Sequence, residues 1–274
     1  MKQTLLSFLL MFLPMLANAA IEIDGIYYNL DTDAKTAEVT RLNRNQKYSG
    51  DVMIPSSVTY EEIDYCVTSI ARQAFYNCSE LTSVTIPNSM TSIGNEAFRN
   101  CSNLTKVELN SNAMVSKDYD AGSSINEIFG SQVKEYVLGD EVTGIGNYAF
   151  FGCSNLISVH MSDYVTTIGE GAFSQCYQLT SFEMPNNVES IGTLAFNMCY
   201  SLTAITIPSS LTNLDYWTFP GCSGLTKVEL NSNAIVSKDF GTSLGSYFGG
   251  QVEEYVLGED FKMSDGITKM VLVK

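Results

Sequence analysis

Ile70-Ala-Arg-Gln-Ala-Phe-Tyr-Asn-Cys-Ser-Glu-Leu-Thr-Ser-Val-Thr-Ile-Pro87 returns, with its landmarks kept, at residues 93–110, 145–162, 168–185, 191–208 and 214–231. Each copy has a phenylalanine (Phe75, Phe98, Phe150, Phe173, Phe196, Phe219), a cysteine three residues on and a leucine six residues on. The cysteines Cys78, Cys101, Cys153, Cys176, Cys199 and Cys222 are therefore spaced by 23, 52, 23, 23 and 23 residues. Such a fixed period marks one supersecondary unit copied many times. Behind each leucine, apolar residues alternate with polar ones, from Val84/Ile86 to Val228/Leu230, which is the period of a strand. A Pro or Asn then ends each run. The remainder is too short for a crossover helix, so a tight coil with one strand and a brief helical turn near Ala-Phe is expected. A single copy has no second layer to cover its Phe, Leu, Val and Ile, whereas stacked copies bury them in one column.

Two places depart from the period, and they depart alike. Residues 104–118 recur with one change at 225–239, each followed by a longer loop and then by Gln-Val-x-Glu-Tyr-Val-Leu-Gly at 132–139 and 251–258. A block of several coils has been duplicated, and its two enlarged loops are expected to project from one edge as twins. About ten rungs follow from this reading: residues 52–54, the six regular strands, two Tyr-Val-Leu strands and a last one near 267–273. Both ends of such a column need covering. Residues 21–30 and 37–40 alternate around a polar Asp31-Thr-Asp-Ala-Lys35 turn and form an expected hairpin cap. Asp31 and Asp33 lack the Gly and the downstream Glu of a calcium loop.

The consensus Ile-Gly-x-x-Ala-Phe-x-x-Cys-x-x-Leu-Thr-x-Val-x-Ile-Pro, clearest at 93–109 and 168–184, resembles the BspA-type leucine-rich repeats, a 23-residue subclass found on bacterial surfaces. The resemblance runs from about Val52 to the C-terminus. It implies a mainly β, right-handed leucine-rich-repeat solenoid with short helical turns. It also implies adhesion, with host matrix or plasma proteins, or another surface protein, as partners.

Residues 1–19 hold one Lys, an apolar run from Leu5 to Leu16 and Ala17-Asn18-Ala19, the pattern of a cleaved signal peptide. The expected division is a leader at 1–19, a capping hairpin at 20–50 and the repeat region at 51–274, in a secreted or cell-surface protein. A net charge of −15 argues against nucleic acid and anionic membrane as partners. Export leaves disulfides open for seven cysteines, an odd number. Stacked repeat positions, however, aim side chains the same way, which suits a ladder of buried thiols better than bridges. One histidine and no Cys-x-x-Cys pair make zinc a poor fit, and no cofactor is implied.

Function then rests on the positions two and four after each leucine, which point away from the core. In order these are Ser83/Thr85, Lys106/Glu108, Glu135/Val137, Ser158/His160, Ser181/Glu183, Ala204/Thr206, Lys227/Glu229 and Glu254/Val256. Lys106, Glu108, Glu135, His160, Glu183, Lys227, Glu229 and Glu254 are the candidate contact residues for a protein partner, which the two duplicated loops are expected to contact as well. A solvated strand face is the plain alternative for each of them. The row has no aromatic stripe, so a glycan ligand is the secondary reading and a passive spacer a third. Catalysis is not expected: His160 sits at a position held elsewhere by Thr or Glu, and each ruler cysteine already has a core role.

Overall fold

The computed structural model describes residues 20–41, 47–215, 217–232, 244–258 and 271–273. The expected leader and residues 267–270 of the expected closing strand lie outside these. The fold is mainly β with few, short helices.

The Leu-x-x-Val-x-Ile runs form parallel ladders. β7 (Leu81–Ile86), β9 (Lys106–Leu109), β10 (Glu135–Leu138) and β12 (Ser158–His160) join β4 (Gly50–Met53) in a five-stranded sheet of order β12-β10-β9-β7-β4. Equivalent residues face each other, Val84 with Val107, Val107 with Tyr136 and Tyr136 with Val159, so the inward set is kept from rung to rung. A second sheet holds β15 (Ala204–Ile207), β16 (Lys227–Leu230), β17 (Glu254–Leu257) and β18 (Val271–Val273). Its last strand is antiparallel to β17 rather than a further parallel rung.

The expected strand at 181–184 is absent, which divides what the sequence presented as one row of strands. Phe182 takes the inward position that Val159, Ile205 and Val228 hold in neighbouring copies. Its ring stands edge-on against Phe173 (4.9 Å) and Phe196 (4.7 Å), and that extra volume keeps the backbone from closing on its neighbours.

A second ladder was not anticipated. β11 (Gly144–Ile145), β13 (Thr167–Ile168) and β14 (Ser190–Ile191) pair in parallel at the Ile-Gly step, and β8 (Ser92–Ile93) pairs with the cap in the same way. The glycine there is fixed by proximity of the coils: a Cβ on Gly169 would lie 2.5 Å from Asn147 N, and one on Gly192 would strike the Glu170 backbone.

Nor is the Ala-Phe turn helical. Two left-handed residues four apart recur in it, Gln73 and Asn77 (φ 59° each), then Glu96 and Asn100, then Leu194 and Met198. Left-handed backbone costs a non-glycine residue about 1–2 kcal/mol. The turn recovers this by aiming alternate N–H groups at the next coil, as in Phe75 N to Ala97 O (2.9 Å) and Asn77 N to Arg99 O (2.9 Å). Helices occur instead in the enlarged segments: α1 (Asn112–Val115), α2 (Ile125–Phe129) and α3 (Gly245–Phe248).

The core is one aromatic file. Ring centroids run Phe75–Phe98 at 4.7 Å, Phe98–Phe129 at 4.9 Å, Phe150–Phe173 at 5.2 Å, Phe173–Phe196 at 5.6 Å and Phe196–Phe219 at 5.2 Å. Tyr136 bridges Phe129 to Phe150, and Phe248 follows Phe219. Thus the enlarged loops supply Phe129 and Phe248 where the consensus lapses. The ruler cysteines are buried thiols beside this file. Cys101, Cys176, Cys199 and Cys222 each donate Sγ–H to the carbonyl of the phenylalanine one coil earlier, at 3.0–3.3 Å. Burial pushes the thiols of Cys101 and Cys153 up to about 12.

At the N-terminus the expected hairpin is part of a larger sheet of six strands. Asp24 (φ 51°) and Gly25 (φ 81°) turn the chain between β1 (Ile21–Ile23) and β2 (Ile26–Asp31), which pairs with β3 (Thr36–Thr40). At the next turn Asp31 Oδ1 accepts the N–H groups of Asp33 (3.0 Å) and Ala34 (2.8 Å). β3 then lies parallel to β6 (Ile63–Ile70), and β5 (Ser57–Tyr60) closes the sheet antiparallel to β6.

Phe173→Ala is expected to lower stability by about 3–5 kcal/mol in urea denaturation, because its neighbours on both sides lose a stacking surface. Gly169→Ala is expected to destabilise as well. Thiol labelling of the native protein at mildly alkaline pH should modify exposed Cys66 rapidly and the six buried cysteines only on unfolding.

Candidate functional site

Alternation in Lys-Val-Glu-Leu buries Val107 and Leu109 and leaves Lys106 and Glu108 outside, and the same holds for Lys227 and Glu229 around Val228. Parallel register then lines up outward residues in columns. One column on the five-stranded sheet reads Asp51, Ser83, Lys106, Glu135, Ser158, and its companion reads Thr85, Glu108, Val137, His160. On the four-stranded sheet the columns are Ala204, Lys227, Glu254 and Thr206, Glu229, Val256.

In the first column of each sheet a lysine and a glutamate pair across neighbouring rungs. Lys106 Nζ lies 2.8 Å from Glu135 Oε1, and Lys227 Nζ lies 3.2 Å from Glu254 Oε1. The duplicated blocks therefore repeat an ion pair. His160 Nε2 reaches Glu135 from the other side at 4.0 Å. The bond to Glu135 holds the Lys106 ammonium above its ordinary range. Glu108 accepts from Asn110 Nδ2 (3.0 Å) and Thr85 Oγ1 (3.4 Å). Glu183 is exposed in the strandless segment between the sheets, apart from either column. The eight candidates thus fall into two groups, Lys106, Glu108, Glu135 and His160 on one sheet and Lys227, Glu229 and Glu254 on the other, with Glu183 between.

Asp51 belongs to the first group and was overlooked. Ser83 Oγ (2.6 Å) and Thr82 Oγ1 (2.8 Å) both donate to its Oδ1, and these bonds, Ser83 first, hold its carboxyl below the ordinary range. Residues 52–54 had marked a rung in the sequence, but the register shift between Gly50 and Asp51 sets which side chain faces out. A second overlooked cluster lies on the turn edge, where Glu96 receives Gln73 Nε2 (2.6 Å) and pairs with Arg99 and with Arg72 (3.6 Å).

The first enlarged loop does not simply project. Tyr119 and Ser124 within it are buried, as are Ser111, Met114 and Val115 in the segment leading to it, where Ser111 Oγ donates to Met90 O while accepting from Met114 N. Val115 O and Asp118 Oδ1 accept the N–H groups of Gly146 and Asn147, which tie the segment to the following coil. Residues 116–118 and 120–123, on either side of Tyr119, are exposed. In the second block residues 233–243, which include the start of the second loop, lie outside the described residues. Ser232 repeats the Ser111 contact, donating to Leu211 O at 2.5 Å.

Chemically the columns offer charges, with more carboxylates than lysines, and hydroxyls on a β-sheet support. Among the described residues no group of three His, Cys, Asp or Glu could hold a metal ion, and no helix is long and apolar enough to cross a membrane.

Parallel ladders at a 23-residue offset around a phenylalanine file define a leucine-rich-repeat protein. The model of the BspA type leucine rich repeat region matches in six copies over residues 54–137 and 124–242, and the chain belongs to this family. Similar solved structures include a leucine rich cell surface protein from Faecalibacterium prausnitzii, at 23% identity and TM-score 0.43, covering 77% of this chain and 70% of that one. A T. pallidum leucine rich repeat protein has 25% identity and TM-score 0.41 over 77% and 84%. One from Bacteroides ovatus has 26% identity and TM-score 0.37 over 88% and 77%. No curated protein matches the chain.

Since each lysine is exposed and its glutamate partner only half-buried, Lys106→Ala and Lys227→Ala are each expected to change stability by less than about 1 kcal/mol in urea denaturation.

Proposed function

We propose that this chain is an exported protein-interaction module. Once residues 1–19 are removed, a right-handed solenoid of about ten rungs docks a protein, either host matrix or another surface protein. The contact surface is the pair of column groups: Lys106, Glu108, Glu135 and His160 on one side, Lys227, Glu229 and Glu254 on the other, with Glu183 between. Membership in a leucine-rich-repeat family supports an interaction role. The observation that carries the reading is the repeated ion pair, Lys106–Glu135 and Lys227–Glu254, on outward positions that the core leaves free to vary. Exposed pairs of this kind add little to folding, yet they set charge complementarity toward a partner. The adhesive role is the family's implication, and the leader supplies the route to the surface.

The mature chain is to be compared with a variant reversing Lys106, Glu108, Lys227 and Glu229, by surface plasmon resonance against matrix proteins at low and high salt. Binding that weakens with salt and falls about tenfold or more in the variant is the expected result. Binding indifferent to both salt and the reversals would overturn the assignment of the surface. Absence of any protein binding would favour a passive spacer.

A further inference from the structure

The second duplicated block carries a groove of about 460 Å³ walled by Trp217, Pro220, Gly221, Ser223, Tyr247 and Gln251. None of the column residues lines it. Its frame is set by Gln251, whose Nε2 donates to Cys222 O (2.9 Å) and Phe248 O (2.7 Å) beside Gly249 at φ 93°. The first block has the same frame: Gln132 Nε2 donates to Cys101 O (3.1 Å) and Phe129 O (2.7 Å) beside Gly130 at φ 91°. That frame encloses a groove of about 510 Å³ lined in part by Glu96, Arg99, Asn100, Glu127 and Ile128.

Alignment of the blocks puts Trp217 at the place of Glu96, Pro220 at Arg99, Gly221 at Asn100 and Tyr247 at Ile128. The backbone of the site was kept and its lining changed from charged to aromatic and uncharged. Among the described residues no acidic or basic side chain lines the second groove, although the chain as a whole carries −15.

Trp217 is the single tryptophan of the chain and is 63% exposed. Its backbone is held on both sides: its N–H donates to Asp215 Oδ1 (2.8 Å) and its carbonyl accepts from Leu194 N (2.7 Å). A fixed backbone thus presents a bare indole, a large apolar surface that folding alone would hide. Asp215, the nearest acid in sequence, is engaged by that N–H and by Thr193 Oγ1 (3.2 Å). On the preceding coils Tyr177 and Tyr200 stack at 5.3 Å and 9°. Ser223 takes the Tyr200 repeat position in the next coil, and Tyr200 stays 44% exposed.

Open ring faces beside hydroxyl and amide groups, with no charge among the described lining residues, complement a ligand that has apolar C–H faces, hydroxyls and no charge. We infer that this groove binds a neutral saccharide, with Trp217 as its stacking platform and Tyr200 extending the platform along the edge. Anionic ligands are opposed by the net charge of the chain, and a cationic one finds no carboxylate among the described lining residues.

The test uses the intact mature chain, whose lone indole reports on the groove. Emission is followed during titration with millimolar neutral oligosaccharides derived from glucan, xylan, mannan and chitin, and affinities are measured by calorimetry. A saturable change in Trp217 emission is expected for at least one of them. Trp217→Ala and Tyr200→Ser should weaken that binding, the former by about tenfold, with unchanged thermal melts. Reversal of Lys106, Glu108, Lys227 and Glu229 should leave saccharide affinity as it was, which separates this site from the protein-docking columns. No response to any neutral oligosaccharide, binding that survives Trp217→Ala, or an emission change only with uronic-acid oligosaccharides or with peptides would overturn the inference.

Discussion

A coil of 23 residues has one layer, and its phenylalanine has nothing of its own to pack against. Everything else in the fold follows from satisfying that ring with the ring of the next coil. Centroid spacings of 4.7–5.6 Å between consecutive consensus phenylalanines require the backbones to approach within hydrogen-bonding distance. That approach excludes a Cβ at the Ile-Gly step and demands left-handed residues in the turn, so that alternate N–H groups meet carbonyls of the neighbour. The cysteine completes the arrangement as a small apolar side chain whose Sγ–H reaches the phenylalanine carbonyl one coil back. Where the consensus fails, Phe129 and Phe248 on short helices restore the file.

A core built this way places almost no demand on what points outward. The outward positions hold Ser, Thr, Lys, Glu, Val, Ala and His in no fixed order, and the ion pairs formed there are exposed ones of small energetic worth. Variation without folding cost is what lets such a surface be matched to a partner. The turn edge shares this freedom: the same Gln-Gly frame supports Glu96 and Arg99 in one block and Trp217 and Pro220 in the other.

Much of this was legible beforehand because period and alternation are written directly in residue order. The file of phenylalanines, the buried thiols and the outward set Lys106/Glu108 and Lys227/Glu229 all come from counting. Contacts between coils were less visible. The break at 181–184 arises from Phe182 wedging between two rings, whereas its sequence position reads as one more apolar strand residue. Asp51 and the extended cap depend on which strands pair and in what register, and local pattern does not carry that information. The groove at Trp217 combines residues about thirty positions apart, and only superposed coils bring them to one wall.

Residue order alone determined the unit, its length, its inward and outward positions and the duplication of a block, since each is a matter of spacing along the chain. Tertiary structure decided where the ladders divide, how the ends are covered, which charges pair and which aromatic faces stay open. Those outcomes depend on the volume and register of neighbouring coils, and a side chain such as Phe182 or Trp217 acquires its role only from what the adjacent coil places beside it.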